Sequence, residues 1–119
     1  MSTRTVRVTV RGSFDQLSAG QRAELLAEAA EHDVMDARYT PEGHLSYDVA
    51  ARPFFTFRFS DEVQRAADIP AATARAEAAA VAWLTRRGLG YKQLSSQTVD
   101  LSEVPLGKRG RREAARRAG

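Results

Sequence analysis

The stretch Arg52-Pro53-Phe54-Phe55-Thr56-Phe57-Arg58-Phe59 decides the fold, because it holds four of the five phenylalanines of this 119-residue chain. Every second residue from Phe55 to Phe59 is aromatic, and these residues alternate with Phe54, Thr56 and Arg58. A period of two is the pattern of a β-strand. One face of this strand is wholly aromatic and needs to be buried, so the stretch predicts a strand in the core of one small domain.

In the segments before and after this stretch, the sequence predicts a first strand, a last strand and two helices. Thr5 to Gly12 alternates valine with arginine and threonine, which indicates a first strand. Ser18-Ala19-Gly20-Gln21 is a capping box that starts a helix from about Ala19 to His32. A second helix begins at Asp68-Ile69-Pro70 and continues to about Arg87, where Gly88 stops it. Tyr91 to Leu101 is polar enough for a strand at the sheet edge.

The apolar faces of both helices follow from helical spacing. In the first helix, the predicted buried stripe consists of Ala23, Leu26, Ala27, Ala30 and Val34. The second helix has two apolar faces. One consists of Ala74, Ala78, Val81, Ala82 and Thr85, and the other of Ala72, Ala76, Ala79, Ala80 and Trp83.

The segment between the helices predicts a hairpin. Thr40-Pro41-Glu42-Gly43-His44 suits a type I turn with Gly43 in the left-handed conformation, which places Tyr39 opposite Leu45 on an apolar face. Because Pro53 cannot donate to a β-ladder, two continuations remain open. One long strand from His44 to Phe59 bends at Pro53, or a meander turns between Ala50 and Pro53. The bent strand is favoured.

The resulting element order is β-α-β-β-α-β. The economical arrangement is an α+β two-layer sandwich, with one antiparallel sheet and both helices on one face. This arrangement is ferredoxin-like, with a long bent third strand. We expect a single α+β domain over residues 1–104 and a basic, disordered tail over residues 105–119.

Composition narrows the class of protein. The absence of cysteine excludes disulfides, thiol catalysis and cysteine-ligated metals. No apolar run approaches the roughly 18 residues of a membrane span, and the start of the chain lacks the apolar segment of a signal peptide. We therefore expect a cytoplasmic protein that does not bind a membrane. Arginine outnumbers lysine sixteen to two, a bias typical of GC-rich coding, so an arginine here is weaker evidence for phosphate binding.

The sequence contains no catalytic or cofactor-binding signature. His44, Ser46 and Asp48 share one strand face, but residues spaced along a strand do not make a triad, and nothing supplies an oxyanion hole. With His32 as the one other histidine, and no acidic cluster at ligand spacing, no metal site is predicted. No glycine-rich phosphate loop indicates a cofactor. A non-enzymatic protein is favoured, with an enzyme as the alternative.

The sheet face away from the helices is the candidate binding surface. Arginines over an open sheet suit an anion, and such faces of ferredoxin-like domains often bind a ligand or a second subunit. The alternative is a solvated face with cross-strand ion pairs. The candidate ligand-binding residues are Arg7, Arg11, Arg38, His44 and Arg58.

Two classes of function follow from these surfaces. The first is a non-enzymatic binding or interaction module that forms a homodimer, because a two-layer domain buries one face of each helix. Two interpretations of Trp83 remain open: its face is left over for a partner, or Trp83 folds over the edge of the core. The second is a small enzyme or carrier for an anionic metabolite, in which His44 transfers the proton.

The basic tail suggests a third function. Pro105 to Gly119 has six basic residues and one acidic residue, a net charge of +5, whereas the rest of the chain carries −2. The tail has no aromatic residue for base stacking. It therefore predicts weak, sequence-independent binding to nucleic acid, or otherwise a solubilising end. The residues concerned are Lys108, Arg109, Arg111, Arg112, Arg116 and Arg117.

Three segments resemble an uncharacterised family of short actinobacterial proteins, a domain of unknown function. They are Pro41 to Asp48, Arg52 to Phe59 and Pro105 to Gly110. The resemblance extends over nearly the whole chain and implies one intact domain. Since the family has no assigned activity, the resemblance implies no catalytic residues.

Overall fold

A computed structural model describes residues 3–101 as an α+β fold with one four-stranded antiparallel sheet and two helices. The spatial order of the strands is β2-β3-β1-β4. The predicted α+β class with an antiparallel sheet is confirmed. The strands are β1 (Arg4–Asp15), β2 (His44–Tyr47), β3 (Phe54–Val63) and β4 (Gly90–Asp100), and the helices are α1 (Ala19–Ala27) and α2 (Ile69–Arg86). Short 3-10 helices cover Ala29–His32, Val34–Asp36 and Ala66–Asp68.

The two central strands, β1 and β3, carry most of the core. Every second residue from Val6 to Val10 is buried, as is every second residue from Phe55 to Phe59. Val10 lies opposite Phe57 in the antiparallel register. Full burial of each such side chain contributes about 1.5–3 kcal/mol. The strand predicted from the aromatic stretch is therefore confirmed, and so is the first strand.

The favoured bent strand is wrong, and the meander is right. β2 and β3 are separate antiparallel strands, with Tyr47 opposite Phe55. The chain turns between them, where the carbonyl of Asp48 accepts hydrogen bonds from the backbone amides of Ala51 and Arg52. Pro53 has no amide proton, so a strand that ran through it would lose a hydrogen bond of the β-ladder. A turn that ends at Pro53 does not need that hydrogen bond.

The predicted hairpin before β2 is also wrong, because β2 pairs with β3 and not with residues 35–39. That segment contains the 3-10 helix Val34–Asp36 and a loop, in which Thr40 forms a single bridge to Phe59. The prediction for Gly43 is confirmed, since its φ is +90°. A Cβ at Gly43 would overlap the ring of Phe57, so this turn packs directly on the core.

Helix α1 starts as predicted and ends early. The Ser18 side chain accepts from the Gln21 amide, and the Gln21 side chain accepts from the Ser18 amide, which confirms the capping box. The predicted buried stripe is wrong: Leu26 is 44% exposed, whereas Leu25 is 2% exposed and belongs to the core. Leu25 is also tied to the sheet, because its carbonyl accepts a hydrogen bond from the Tyr47 hydroxyl.

Helix α2 is confirmed over its whole length, with Pro70 in its first turn and Gly88 at φ +67° after its end. Its sheet-facing residues Ala72, Ala76 and Ala80 are all fully buried. Their small side chains let the helix lie close to the central strands. Because residues of both helices share the core cluster that includes Leu25, Ala76 and Phe57, both helices cover the same face of the sheet.

Strand β4 forms the sheet edge beside β1, as predicted. Its register shifts between Arg11 and Ser13 of β1, because β4 contains an extra residue there. Gln93 lies in this bulge with a φ of +58°, a rare value for a residue other than glycine. Among residues 3–101, neither helix combines the length and apolarity that crossing a bilayer would require.

Candidate functional site

Three of the predicted arginines lie together on the open sheet face. In the register of β1 against β3, Arg58 lies opposite Thr9, which stands between Arg7 and Arg11 on that face. Arg58 is therefore a diagonal neighbour of both arginines, a position with a typical separation of about 7–8 Å between residues. We call Arg7, Arg11 and Arg58 the arginine triangle.

Within the described part of the chain, the arginine triangle has no carboxylate partner. Among residues 3–101, no Asp or Glu oxygen lies within 4.0 Å of a guanidinium nitrogen of the triangle. Arg58 donates instead to the Ser46 hydroxyl at 2.8 Å, and Arg7 lies 5.0 Å from the centroid of the Tyr39 ring. Within the described part of the chain, the three arginines of the triangle therefore form no cross-strand ion pair.

Tyr39 covers the centre of the triangle. Its hydroxyl shares a 2.7 Å hydrogen bond with the hydroxyl of Thr9, so the loop before β2 is anchored across the open face. The incorrect hairpin register placed Tyr39 on the core side, and sequence reasoning missed this contact. No local pattern signals it, since the partners are 30 residues apart.

The open-face groove consists of two hollows on either side of Phe54, which is 51% exposed. The first has a volume of about 310 Å³ and the second about 230 Å³. The first is lined by Arg11, Gly12, Ser13, Phe54, Phe55, Thr56 and Gln93. The second is lined by Val34, Ser46, Tyr47, Asp48, Ala51, Arg52, Phe54 and Thr56. The groove therefore joins an exposed aromatic ring to two arginines, one of which, Arg52, sequence reasoning missed.

The bulge in β4 shapes the wall of the first hollow. The Ser13 hydroxyl donates to the side-chain oxygen of Gln93 at 3.4 Å. Bulges turn a side chain to a direction that a regular strand does not allow. Gln93 therefore presents an amide beside Arg11, although nothing in the polar sequence of β4 singles it out.

Two predicted site residues lie apart from the triangle. Arg38 is exposed in the loop after the 3-10 helix Val34–Asp36, because the strand that was to place it on the face does not form. His44 lies opposite Arg58 in the register, but its Nε2 lies 3.2 Å from the Glu31 carbonyl. Its Nδ1 is buried without a hydrogen-bond partner. The His44 ring is thus directed toward the Ala29–His32 turn.

His44 belongs to an aromatic cluster at the outer edge of β2, together with His32, Tyr47 and Trp83. The His32 ring stacks on Tyr47 at 5.2 Å and meets Trp83 edge-on at 5.3 Å. Arg87 covers the other side of Trp83, with its guanidinium carbon 3.7 Å from the ring centroid. Trp83 thus packs against the core, which is the second of the two interpretations that the sequence left open.

The hydroxyl of Tyr47 is buried in this cluster and donates to the Leu25 carbonyl at 2.7 Å. Burial, followed by the charge of Glu28, raises the pKa of Tyr47 to about 12. Arg87 acts in the opposite direction, and Glu31 adds a smaller increase. Among residues 3–101, these two glutamates and His32 form a group that could hold a metal ion, since their ligand atoms lie within 4.8 Å of one another.

The basic residues of the predicted nucleic-acid-binding tail, from Lys108 to Arg117, lie outside the described residues.

No curated protein and no solved structure matches the chain. The profile of a family of unknown function, DUF6204, matches residues 1–112, which is most of the chain. This match confirms the resemblance to an uncharacterised single-domain family. The protein therefore belongs to the DUF6204 family, whose function is unknown.

Proposed function

We propose that the protein is a non-enzymatic binding module that binds a small anion on its open sheet face. The observation that carries this proposal is the arginine triangle, three arginines at the strand positions around Thr9 whose guanidinium groups have no carboxylate within 4.0 Å among the described residues. Guanidinium groups bind carboxylates and phosphates through two parallel hydrogen bonds. A ligand anion would supply the charge that the neighbouring side chains do not.

The shape of the groove favours an anion that carries a flat apolar part. Phe54 exposes half of its surface between the two hollows, and Arg11 lies beside it. Such a ligand places its ring on Phe54 and its charge on Arg11. Binding is favoured over turnover because His44, the proton-transfer group of the enzyme alternative, directs Nε2 at the Glu31 carbonyl.

A thermal-shift screen against phosphorylated and carboxylated metabolites tests this proposal. A ligand at about 100 times its dissociation constant adds about 2.7 kcal/mol to the free energy of unfolding. The affinity of a hit should fall in Arg11→Gln and in Arg58→Gln. Arg22→Gln is the matched control, because Arg22 is exposed on α1 in the other layer. The proposal fails if no anion stabilises the wild type, or if all three variants bind a hit equally.

We also propose that the protein self-associates, through a surface other than the Trp83 face. The observation that favours this is a group of exposed apolar side chains, Leu26, Val34 and Met35, around a hollow of about 390 Å³. Met35 is 89% exposed, which is costly unless another surface covers it. A second copy would bury this group against the same group on its partner.

Light scattering across a concentration series tests the dimer. Met35→Glu should shift the protein toward monomer. The control is Gln64→Glu, which adds the same charge at an exposed position just after the C-terminal end of β3. A wild type that stays monomeric at the highest concentration would contradict this proposal. A dimer that both variants preserve would show that the interface lies elsewhere.

Two further expectations stay proposals. The first is that the fold is ferredoxin-like, which the element order β-α-β-β-α-β, the strand order β2-β3-β1-β4 and the placement of both helices on one face support. An experimental structure with another connectivity would contradict it. The second is a cytoplasmic location, which cell fractionation would test.

A further inference from the structure

Glu28, Glu31 and His32 form a compact group at the end of α1, which we call the Glu-Glu-His cluster. Glu28 is the C-cap of α1, and the other two residues lie in the 3-10 helix Ala29–His32 that follows. Residues three and four positions apart in a helical turn lie on one face. The ligand atoms of all three side chains accordingly lie within 4.8 Å of one another.

His32 is held as a metal ligand would be. Its Nδ1 lies 2.6 Å from the Leu45 carbonyl oxygen, which can only accept a hydrogen bond. The proton of the neutral ring is therefore on Nδ1, and Nε2 keeps its lone pair. Histidines that bind metals typically donate their other ring nitrogen to a carbonyl or carboxylate in this way. Stacking on Tyr47 and the edge contact with Trp83 also fix the ring, so little conformational freedom remains to be lost on binding.

Among residues 3–101, the two carboxylates have no ion-pair partner. Within the described part of the chain, no basic side chain lies within 4.0 Å of Glu28 or Glu31. Two glutamates this close repel each other, and a bound cation would remove that cost. Glu28 and His32 are half-buried and Glu31 is exposed, so the cluster is open to solvent on one side.

We propose that Glu28, Glu31 and His32 bind a divalent transition-metal ion such as Zn²⁺. One imidazole nitrogen and two carboxylates are a ligand set that Zn²⁺ accepts, with water in the fourth position. Imidazole favours Zn²⁺ and its neighbours in the first transition row over Mg²⁺ and Ca²⁺, which prefer oxygen ligands. The proposal is independent of the anion site on the open sheet face.

The position of the cluster indicates what the ion does. His32 contacts the carbonyl of Leu45 in β2, and His44 of β2 contacts the carbonyl of Glu31, so two side chains join the turn to the strand. β2 is an edge strand, and the Ala29–His32 turn contacts it through these two side chains. An ion on the cluster would hold this turn against the edge strand and raise the unfolding temperature.

Isothermal titration of the chelator-treated full-length chain with Zn²⁺ tests the proposal. We expect one ion per chain, a higher unfolding temperature with Zn²⁺, and no comparable effect of Mg²⁺. The double variant Glu28→Gln, Glu31→Gln should weaken binding by more than about tenfold. Both side chains are at least partly exposed, so the variant should fold, which circular dichroism would check. The matched control is Glu24→Gln, an exposed glutamate on α1 that should leave binding unchanged.

Two further measurements identify the site. Co²⁺ in place of Zn²⁺ should give a visible absorption band that the double variant lacks. His44→Gln should retain the ion, because His44 is not in the cluster. The proposal is overturned if the wild type binds no Zn²⁺, if the double variant binds it as tightly as Glu24→Gln does, or if binding depends on His44 and not on the two glutamates.

Discussion

Tyr47→Phe should change how the stability of the protein depends on pH. The substitution removes a core hydroxyl that donates to the Leu25 carbonyl at 2.7 Å and leaves the ring in place. A neutral hydrogen bond of this kind contributes about 0.5–1.5 kcal/mol. Near neutral pH, the wild type should therefore be more stable than the variant by about 1 kcal/mol.

This advantage should shrink as the pH rises above 10, and the order of the two proteins should reverse before pH 12. The ordinary pKa of tyrosine is 10.0, and burial together with Glu28 raises the pKa of Tyr47 in the folded protein to about 12. Between these values the unfolded chain loses the Tyr47 proton while the folded protein keeps it. Deprotonation thus favours unfolding, and the stability present below pH 10 is lost as the pH rises to 12. At 1.36 kcal/mol for each unit of pKa, the loss is about 2.7 kcal/mol.

Guanidinium unfolding at a series of pH values from about 8 to 12 measures this effect. Groups that wild type and Tyr47→Phe have in common titrate alike, so their contributions cancel in the difference between the two unfolding free energies. Tyr91→Phe is the control, because Tyr91 is exposed and its removal should leave the pH dependence of the wild type unchanged. If wild type and Tyr47→Phe lose stability in parallel above pH 10, the hydroxyl is not buried as described and the reasoning is wrong.

Three further predictions concern the turn, the open face and the tail. Gly43→Ala should lower the free energy of unfolding in denaturant by about 2–5 kcal/mol, because φ is +90° and the new methyl group would overlap Phe57. Gly20→Ala is the control, because a methyl group has room at that position of α1. An equal loss of stability in Gly20→Ala would contradict the argument. Tyr39→Phe should cost about 1 kcal/mol through the lost hydroxyl bond across the open face, and an unchanged unfolding midpoint would count against that contact. For the basic tail, a titration of duplex DNA should show a log-log salt slope near −4.5, from about five neutralised phosphates, that disappears in a chain ending at Gly107. Equal binding by both chains, or no binding at low salt, would exclude the tail as an anchor.

Much of the local structure could be read from the sequence, because it depends on residues within a few positions of one another. The alternation around Phe57 and Val8 predicts two strands, since successive side chains of a strand point to opposite faces. The capping box at Ser18 and the stop at Gly88 act within one helical turn. The arginine triangle follows from the same alternation, and only its third residue required the pairing of β1 with β3.

The tertiary structure decided which elements meet. β2 is apolar enough to pair with either flanking segment, and it pairs with β3 because the phenylalanines there bury more apolar surface than residues 35–39 offer. That choice moved Arg38 off the open face and placed Tyr39 on it, and no local pattern signals either result. Leu25 and Leu26 are adjacent residues of the same type, so residue type does not show which one is buried. The hydrogen bond from Tyr47 and the packing of α1 on the sheet select Leu25 for the core, since burial depends on contacts between residues far apart in the sequence.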